Sequence, residues 1–104
     1  MASTLSERLE RLLANGPDSA VLRFSLGNAY LATEPARAVS HLARAIELDP
    51  QYSAAWKLFG KALVATDQMA EARHAFAQGI LVAEAKGDVQ AAKEMRVFLK
   101  RLKD

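Results

Sequence analysis

The sequence predicts an all-α fold, a short α-solenoid of six antiparallel helices, and three observations predict it. Ala, Leu, Glu, Lys and Arg supply 56 of the 104 residues, whereas Val, Ile and Thr together supply 11. That balance favours helix and leaves too few β-branched residues for an all-β core. Second, anchor residues recur 33 positions apart, Pro17 with Pro50 and Gly27 with Gly60. Leu26-Gly27-Asn28-Ala29-Tyr30 thereby aligns with Phe59-Gly60-Lys61-Ala62-Leu63, so one supersecondary unit is used twice. Third, the helix-breaking residues lie close together along the chain. Connections of only two to five residues force successive helices to pack antiparallel.

The elements follow in order. Thr4 with Glu7 forms a capping box ahead of Leu5, Leu9, Leu12 and Leu13, which share one helical face. Asn15-Gly16-Pro17 stops that first helix. A second runs from about Ser19 to about Ala32, and Pro35 suits the first turn of a third, which ends near Asp49-Pro50. A fourth starts behind Ser53 as N-cap and ends near Thr66, with Asp67 as cap of the fifth. The fifth carries Met69, Ala72, Phe76, Ile80 and Ala83 to a stop at Gly87. Asp88 caps a sixth that places Ala91, Ala92, Met95, Phe98, Leu99 and Leu102 on one face. Trp56, Phe59, Phe76 and Met69 are expected on inward faces.

Composition excludes much. Half the chain is apolar and a quarter charged, which argues against disorder. No run of eighteen apolar residues occurs, and no apolar stretch follows a basic N-terminus, so a cytoplasmic protein without a membrane span is expected. The absence of cysteine removes disulfides, thiolate metal sites and cysteine nucleophiles. His41 and His74 each stand alone on a helix, and HExxH, P-loop, Rossmann and G-x-S-x-G patterns are missing. The expectation is a protein that is not an enzyme, with no metal, no cofactor and no nucleic-acid partner; a net charge of +2 is too small to imply one.

The repeats resemble the tetratricopeptide repeat, whose pattern is W-x2-L-G-x2-Y … A-x3-F … P. Trp56, Phe59, Gly60, Ala72 and Phe76 follow it in the second copy; Leu26, Gly27, Tyr30, Ala38, Leu42, Ala45 and Pro50 follow it in the first. Arg23 stands in the first copy where Trp56 stands in the second, and Glu84 replaces the terminal proline. The resemblance covers residues 5–86 of the single domain, a half-repeat helix over 5–14 and repeats over 18–50 and 51–86; the sixth helix, over 88–103, matches no repeat position and reads as a capping helix.

That resemblance implies a protein-interaction adaptor holding an extended peptide on a concave face built from the first helix of each pair. It places Val21, Phe24, Asn28 and Leu31 there from the first copy, and Lys57, Lys61 and Val64 from the second. Periodicity separately sets the stripe through Val21, Phe24, Asn28 and Leu31 apart from the one through Leu22, Leu26, Ala29 and Tyr30. Lys57 and Lys61 are i,i+4 neighbours without a carboxylate between them, so a peptide bearing an acidic residue or a C-terminal carboxylate suits the face. A secondary basic surface is Lys93, Arg96, Lys100 and Lys103 on the sixth helix. The alternative to an adaptor is a structural assembly subunit that associates through its end helices; for the adaptor itself a monomer, at most a weak dimer, is expected.

Overall fold

The computed structural model describes residues 4–102, which form six α-helices and no strand. They are α1 (Leu5–Asn15), α2 (Ala20–Tyr30), α3 (Pro35–Leu48), α4 (Ser53–Ala65), α5 (Met69–Lys86) and α6 (Val89–Arg101). Local chemistry explains most ends. The Thr4 hydroxyl accepts from the Glu7 N–H at 3.2 Å while the Glu7 carboxylate accepts from the Thr4 N–H at 3.1 Å, the reciprocal capping box. Ser19 caps α2 through the Leu22 N–H, Pro35 opens α3, and Asp88 caps α6 through the Ala91 N–H.

Two expected caps do other work. Asp67 does not cap α5; Gln68 precedes that helix, without a side-chain bond. Asp67 instead sits at φ 60°, in the left-handed region, and its N–H donates to Val64 O while the Gln68 N–H donates to Leu63 O at 2.8 Å. That is a Schellman closure of α4 in which aspartate takes the place usually given to glycine. Gly87 closes α5 in the same manner at φ 76°. Ser53 is the first residue of α4, behind Tyr52, and its hydroxyl is buried and donates to Asp88 at 2.8 Å. It ties the start of α4 to the start of α6. The second helix ends at Tyr30, two residues before the expected Ala32, because the Thr33 and Glu34 N–H groups both turn back onto Tyr30 O.

Each helix packs on the next. The backbones of α2 and α4 also approach each other, as do those of α4 and α6, whereas among the described residues those of α1, α3 and α5 do not. Inner helices that touch and outer helices that splay make a curved stack, 45 Å in its longest dimension, with α2, α4 and α6 on the inside. Two glycines permit the inner–outer contact. A Cβ on Gly27 would meet the Leu42 isobutyl carbons at 3.0 Å or less, and one on Gly60 would meet the Phe76 ring just as closely. Leu42 and Phe76 are both wholly buried.

The core has two lobes. Leu26, Tyr30, Ala38, Leu42, Leu58 and Ala62 form the first, with Leu9 and Leu13 of α1 packed against it. Phe76, Ala72, Ala75, Ala83, Ala92 and Met95 centre the second, with Trp56, Phe98 and Leu99 around it. Val39 and Phe59 pack against both lobes and join them. Of the residues expected inside, Met69 is instead exposed at the mouth of α5. Leu5 and Leu12 are also exposed; among the described residues the backbone of α1 approaches that of α2 alone.

Candidate functional site

The inner side of the stack is built from α2, α4 and α6, and the residues expected on its face fall into two groups. On α2, Val21 is 64% exposed and Asn28 is exposed. Phe24 is half-buried, packed on the first core lobe and stacked on Tyr52 with ring centroids 4.9 Å apart. Leu31 lies just past the end of α2 and packs on the same lobe. The Phe24–Tyr52 stack bridges α2 to the residue that precedes α4, giving this part of the face a rigid apolar step.

On α4 the two lysines are not the bare pair that the sequence suggests. Lys57 Nζ donates to Glu94 of α6 at 2.9 Å, and that contact holds the Glu94 carboxyl below its ordinary pKa. Lys61 Nζ lies 5.6 Å from the centroid of the Phe98 ring. Val64 is half-buried against the second lobe. Sequence reasoning passed over Glu94, although a signal for it exists. Lys57 and Lys61 reappear 37 positions on as Glu94 and Phe98, and in the same register Ala55 and Leu58 reappear as Ala92 and Met95, all four of them buried. Thus α6 stands as the inner helix of a third pair.

That register also explains the basic surface. Trp56, Phe59 and Gly60, which look towards α5, correspond to Lys93, Arg96 and Val97, which no later helix covers among the described residues. Lys93, Arg96 and Lys100 are exposed, Val97 is 49% exposed, and Arg96 pairs with Glu84 of α5. Lys103 lies outside the described residues.

At the opposite end a polar cluster ties α1, α2 and α3. Asp18 accepts two bonds from Arg23, at 2.8 and 3.1 Å, and a third from Arg44 at 3.1 Å. These cations, Arg23 foremost, lower its pKa to about 2. Arg23 Nη1 also reaches His41 Nδ1 at 3.1 Å. A guanidinium can only donate, so Nδ1 accepts and the imidazole proton resides on Nε2. Nε2 faces Glu10 Oε1 at 3.3 Å, within ion-pair reach, though the pair is not aligned as a hydrogen bond and Oε1 is shielded from solvent. Burial lowers the His41 pKa, against the pull of Glu10. Arg23 occupies the place of Trp56, so a polar clasp does here what indole packing does in the second repeat. His74 is exposed and lines a cleft of about 490 Å³ on another side of the stack, with Val39, Phe59, Leu63 and Glu71. Among the described residues no group of three or more His, Asp or Glu could hold a metal ion, and no helix is long and apolar enough to cross a membrane.

Comparison with known proteins agrees with this architecture. A tetratricopeptide repeat family model matches residues 32–95. A TPR repeat-containing protein of Pseudomonas aeruginosa is 54% identical over 97 residues, 92% of each chain. The solution structure of a Bordetella parapertussis protein superposes with a TM-score of 0.84 at 43% identity, over 97% of this chain and 89% of that one. The crystal structure of a tetratricopeptide repeat domain protein from Salinibacter ruber gives 0.74 at 25% identity, over 81% and 96%. The chain belongs to the tetratricopeptide repeat family. Membership points to a role in protein–protein interaction, in a family that is generally non-catalytic.

Proposed function

We propose that the chain is a non-catalytic adaptor whose inner face holds an extended segment of a partner protein. The observation that carries this reading is the α2 end of that face. Supporting it are an exposed Val21, the half-buried Phe24–Tyr52 step and an exposed Asn28, all at or beside α2, one of the helices on the inside of the curve. Asn28 can both donate to and accept from the backbone of an extended chain, while Phe24 and Leu31 offer apolar contact. Lys61 adds positive charge for an acidic residue; Lys57 is already committed to Glu94 and contributes less. Exposed charge contacts are worth about 0.2–1 kcal/mol each, so affinity is modest, salt-sensitive and carried by apolar burial.

The test is to recover a partner from native lysate, purify it and measure binding by three variants. Phe24→Ala and the pair Asn28→Ala/Lys61→Glu are expected to weaken binding, while Lys93→Glu/Lys100→Glu leaves it unchanged. The reverse pattern would move the functional surface to the outer side of α6 and overturn the proposal. One observation favours the alternative of a self-associating subunit: Leu5 and Leu12 on α1 are 58% and 61% exposed, and Val89 on α6 is 66% exposed. Mass measured across a concentration series separates the two, because association through the end helices makes mass rise with concentration.

A further inference from the structure

Between α4 and α6 the inner face opens into a cleft of about 290 Å³, lined by Lys61, Val64, Phe76, Phe98, Arg101 and Leu102. Its floor is aromatic and aliphatic. Phe76 stacks on one face of Phe98, with centroids 5.4 Å apart and planes within 19°. Two cations also stand near the Phe98 ring, Lys61 Nζ at 5.6 Å and Arg101 Cζ at 6.0 Å from its centroid. The ring quadrupole attracts both, but two like charges drawn to one ring also repel each other. Elsewhere, convergent cations share a carboxylate: Arg23 and Arg44 meet on Asp18, and Lys57 has Glu94. Among the described residues no carboxylate lies within ion-pair distance of Lys61 or Arg101. An apolar pocket rimmed by two cations that have no carboxylate partner among the described residues complements an apolar group with a carboxylate nearby.

We propose that this cleft is the anchoring pocket for an internal partner segment of the form apolar–any–acidic, the apolar side chain entering beside Phe98 and the acidic one bridging Lys61 and Arg101. The proposal rests on the inner-face reading above and narrows it to one pocket and one register. The register follows from strand geometry. In an extended chain neighbouring side chains point to opposite sides, whereas residues i and i+2 share a side roughly 6.6–6.8 Å apart. The two cations lie 5.6 and 6.0 Å from the Phe98 ring centroid, a spacing of the same order. With about 290 Å³ the cleft has ample room for one leucine-sized side chain.

The experiment titrates the isotope-labelled chain with peptides capped at both ends, up to 10 mM, and follows assigned amide and side-chain resonances. The probes are Gly-Leu-Ser-Glu-Gly, its Glu-to-Gln counterpart, the register-shifted Gly-Leu-Glu-Ser-Gly, and an uncapped peptide ending in Leu with a free carboxylate. The expected result is saturable shifts at Lys61, Val64, Phe98 and Arg101 with the first peptide. Affinity should be roughly fivefold weaker with the Gln and shifted peptides, and the free-terminus peptide should bind no better than the Gln one. Lys61→Gln/Arg101→Gln should lower affinity for the first peptide by a similar factor, with unchanged circular dichroism, whereas Lys93→Gln/Lys100→Gln should not. Absence of shifts at the cleft up to 10 mM overturns the proposal, as does equal binding of the acidic and Gln peptides. A preference for the free terminus overturns the committed occupant. Shifts confined to Val21, Phe24 and Asn28 overturn the cleft alone and leave the inner-face reading standing; shifts confined to the outer side of α6 overturn both.

Discussion

Replacing Gly60 with alanine sets two opposed effects against each other. In a helix interior alanine is favoured over glycine by about 0.8–1 kcal/mol, so propensity alone makes Gly60→Ala stabilising. The added methyl, however, would meet Cε1, Cζ and Cδ1 of Phe76, all closer than 3.0 Å. Phe76 is 0% exposed, stacked on Phe98 and packed in the second core lobe, so its ring can move aside only by breaking those contacts. Overpacking of this kind costs about 1–3 kcal/mol, and three simultaneous contacts against a ring so packed put it in the upper part of that range. The net expectation is destabilisation by about 1–2 kcal/mol, a fall in Tm of roughly 5–15 °C for a domain of this size. Urea and thermal unfolding of Gly60→Ala, Phe76→Leu and the double variant make the decisive assay. Leucine lacks Cε1 and Cζ, so the cost of Gly60→Ala should shrink by at least about 0.5 kcal/mol in that background. If Gly60→Ala is as stable as the parent, or if the two changes are additive, the close approach of α4 and α5 is not what requires glycine.

Three other perturbations test separate parts of the structure. Acid should act in two windows. The His41 pKa is depressed below 6.5, so its contribution is full above pH 6.5 and fades as pH falls below it; Asp18 is depressed from 3.8 to about 2, so its contribution is full above pH 4 and fades towards pH 2. Tm against pH for His41→Gln and Asp18→Asn should lose the upper and the lower window respectively. Met95→Ala, which empties a wholly buried site under α6, should cost about 2–5 kcal/mol by urea unfolding, and an undiminished midpoint would show that α6 does not anchor there. Asp88→Ala removes the α6 cap and strands the buried Ser53 hydroxyl, so it should cost about 1–3 kcal/mol and cost less when Ser53 is already alanine, as a double-mutant cycle would report.

Local chemistry made the fold legible before any tertiary contact was considered. The Thr4–Glu7 box, the breaks at Gly16-Pro17 and Gly87-Asp88, and Pro35 at the start of α3 act within a few residues of chain, and each element they bound appears where those signals put it. The 33-residue echo of Gly27 in Gly60 was equally readable, because each glycine answers to one large residue on the next helix, Leu42 or Phe76. Capping by short polar residues was less secure. Asp67 and Ser53 both have the right chemistry for an N-cap, but Asp67 was drawn into the left-handed turn that ends α4, and Ser53 was drawn inward to Asp88, 35 residues away. The inner face shows the same division. Periodicity alone could separate Val21, Phe24, Asn28 and Leu31 from the core stripe of α2. It could not show that Glu94 neutralises Lys57, or that Phe98 and Arg101 come to stand beside Lys61, because those contacts span 37 to 40 residues and exist only once α6 docks as a third inner helix. Helix boundaries depend on interactions within one turn, which sequence records directly. The charge and shape of a face shared by three helices depend on how those helices are stacked, and that was decided by packing around Met95, Phe76 and the two glycines.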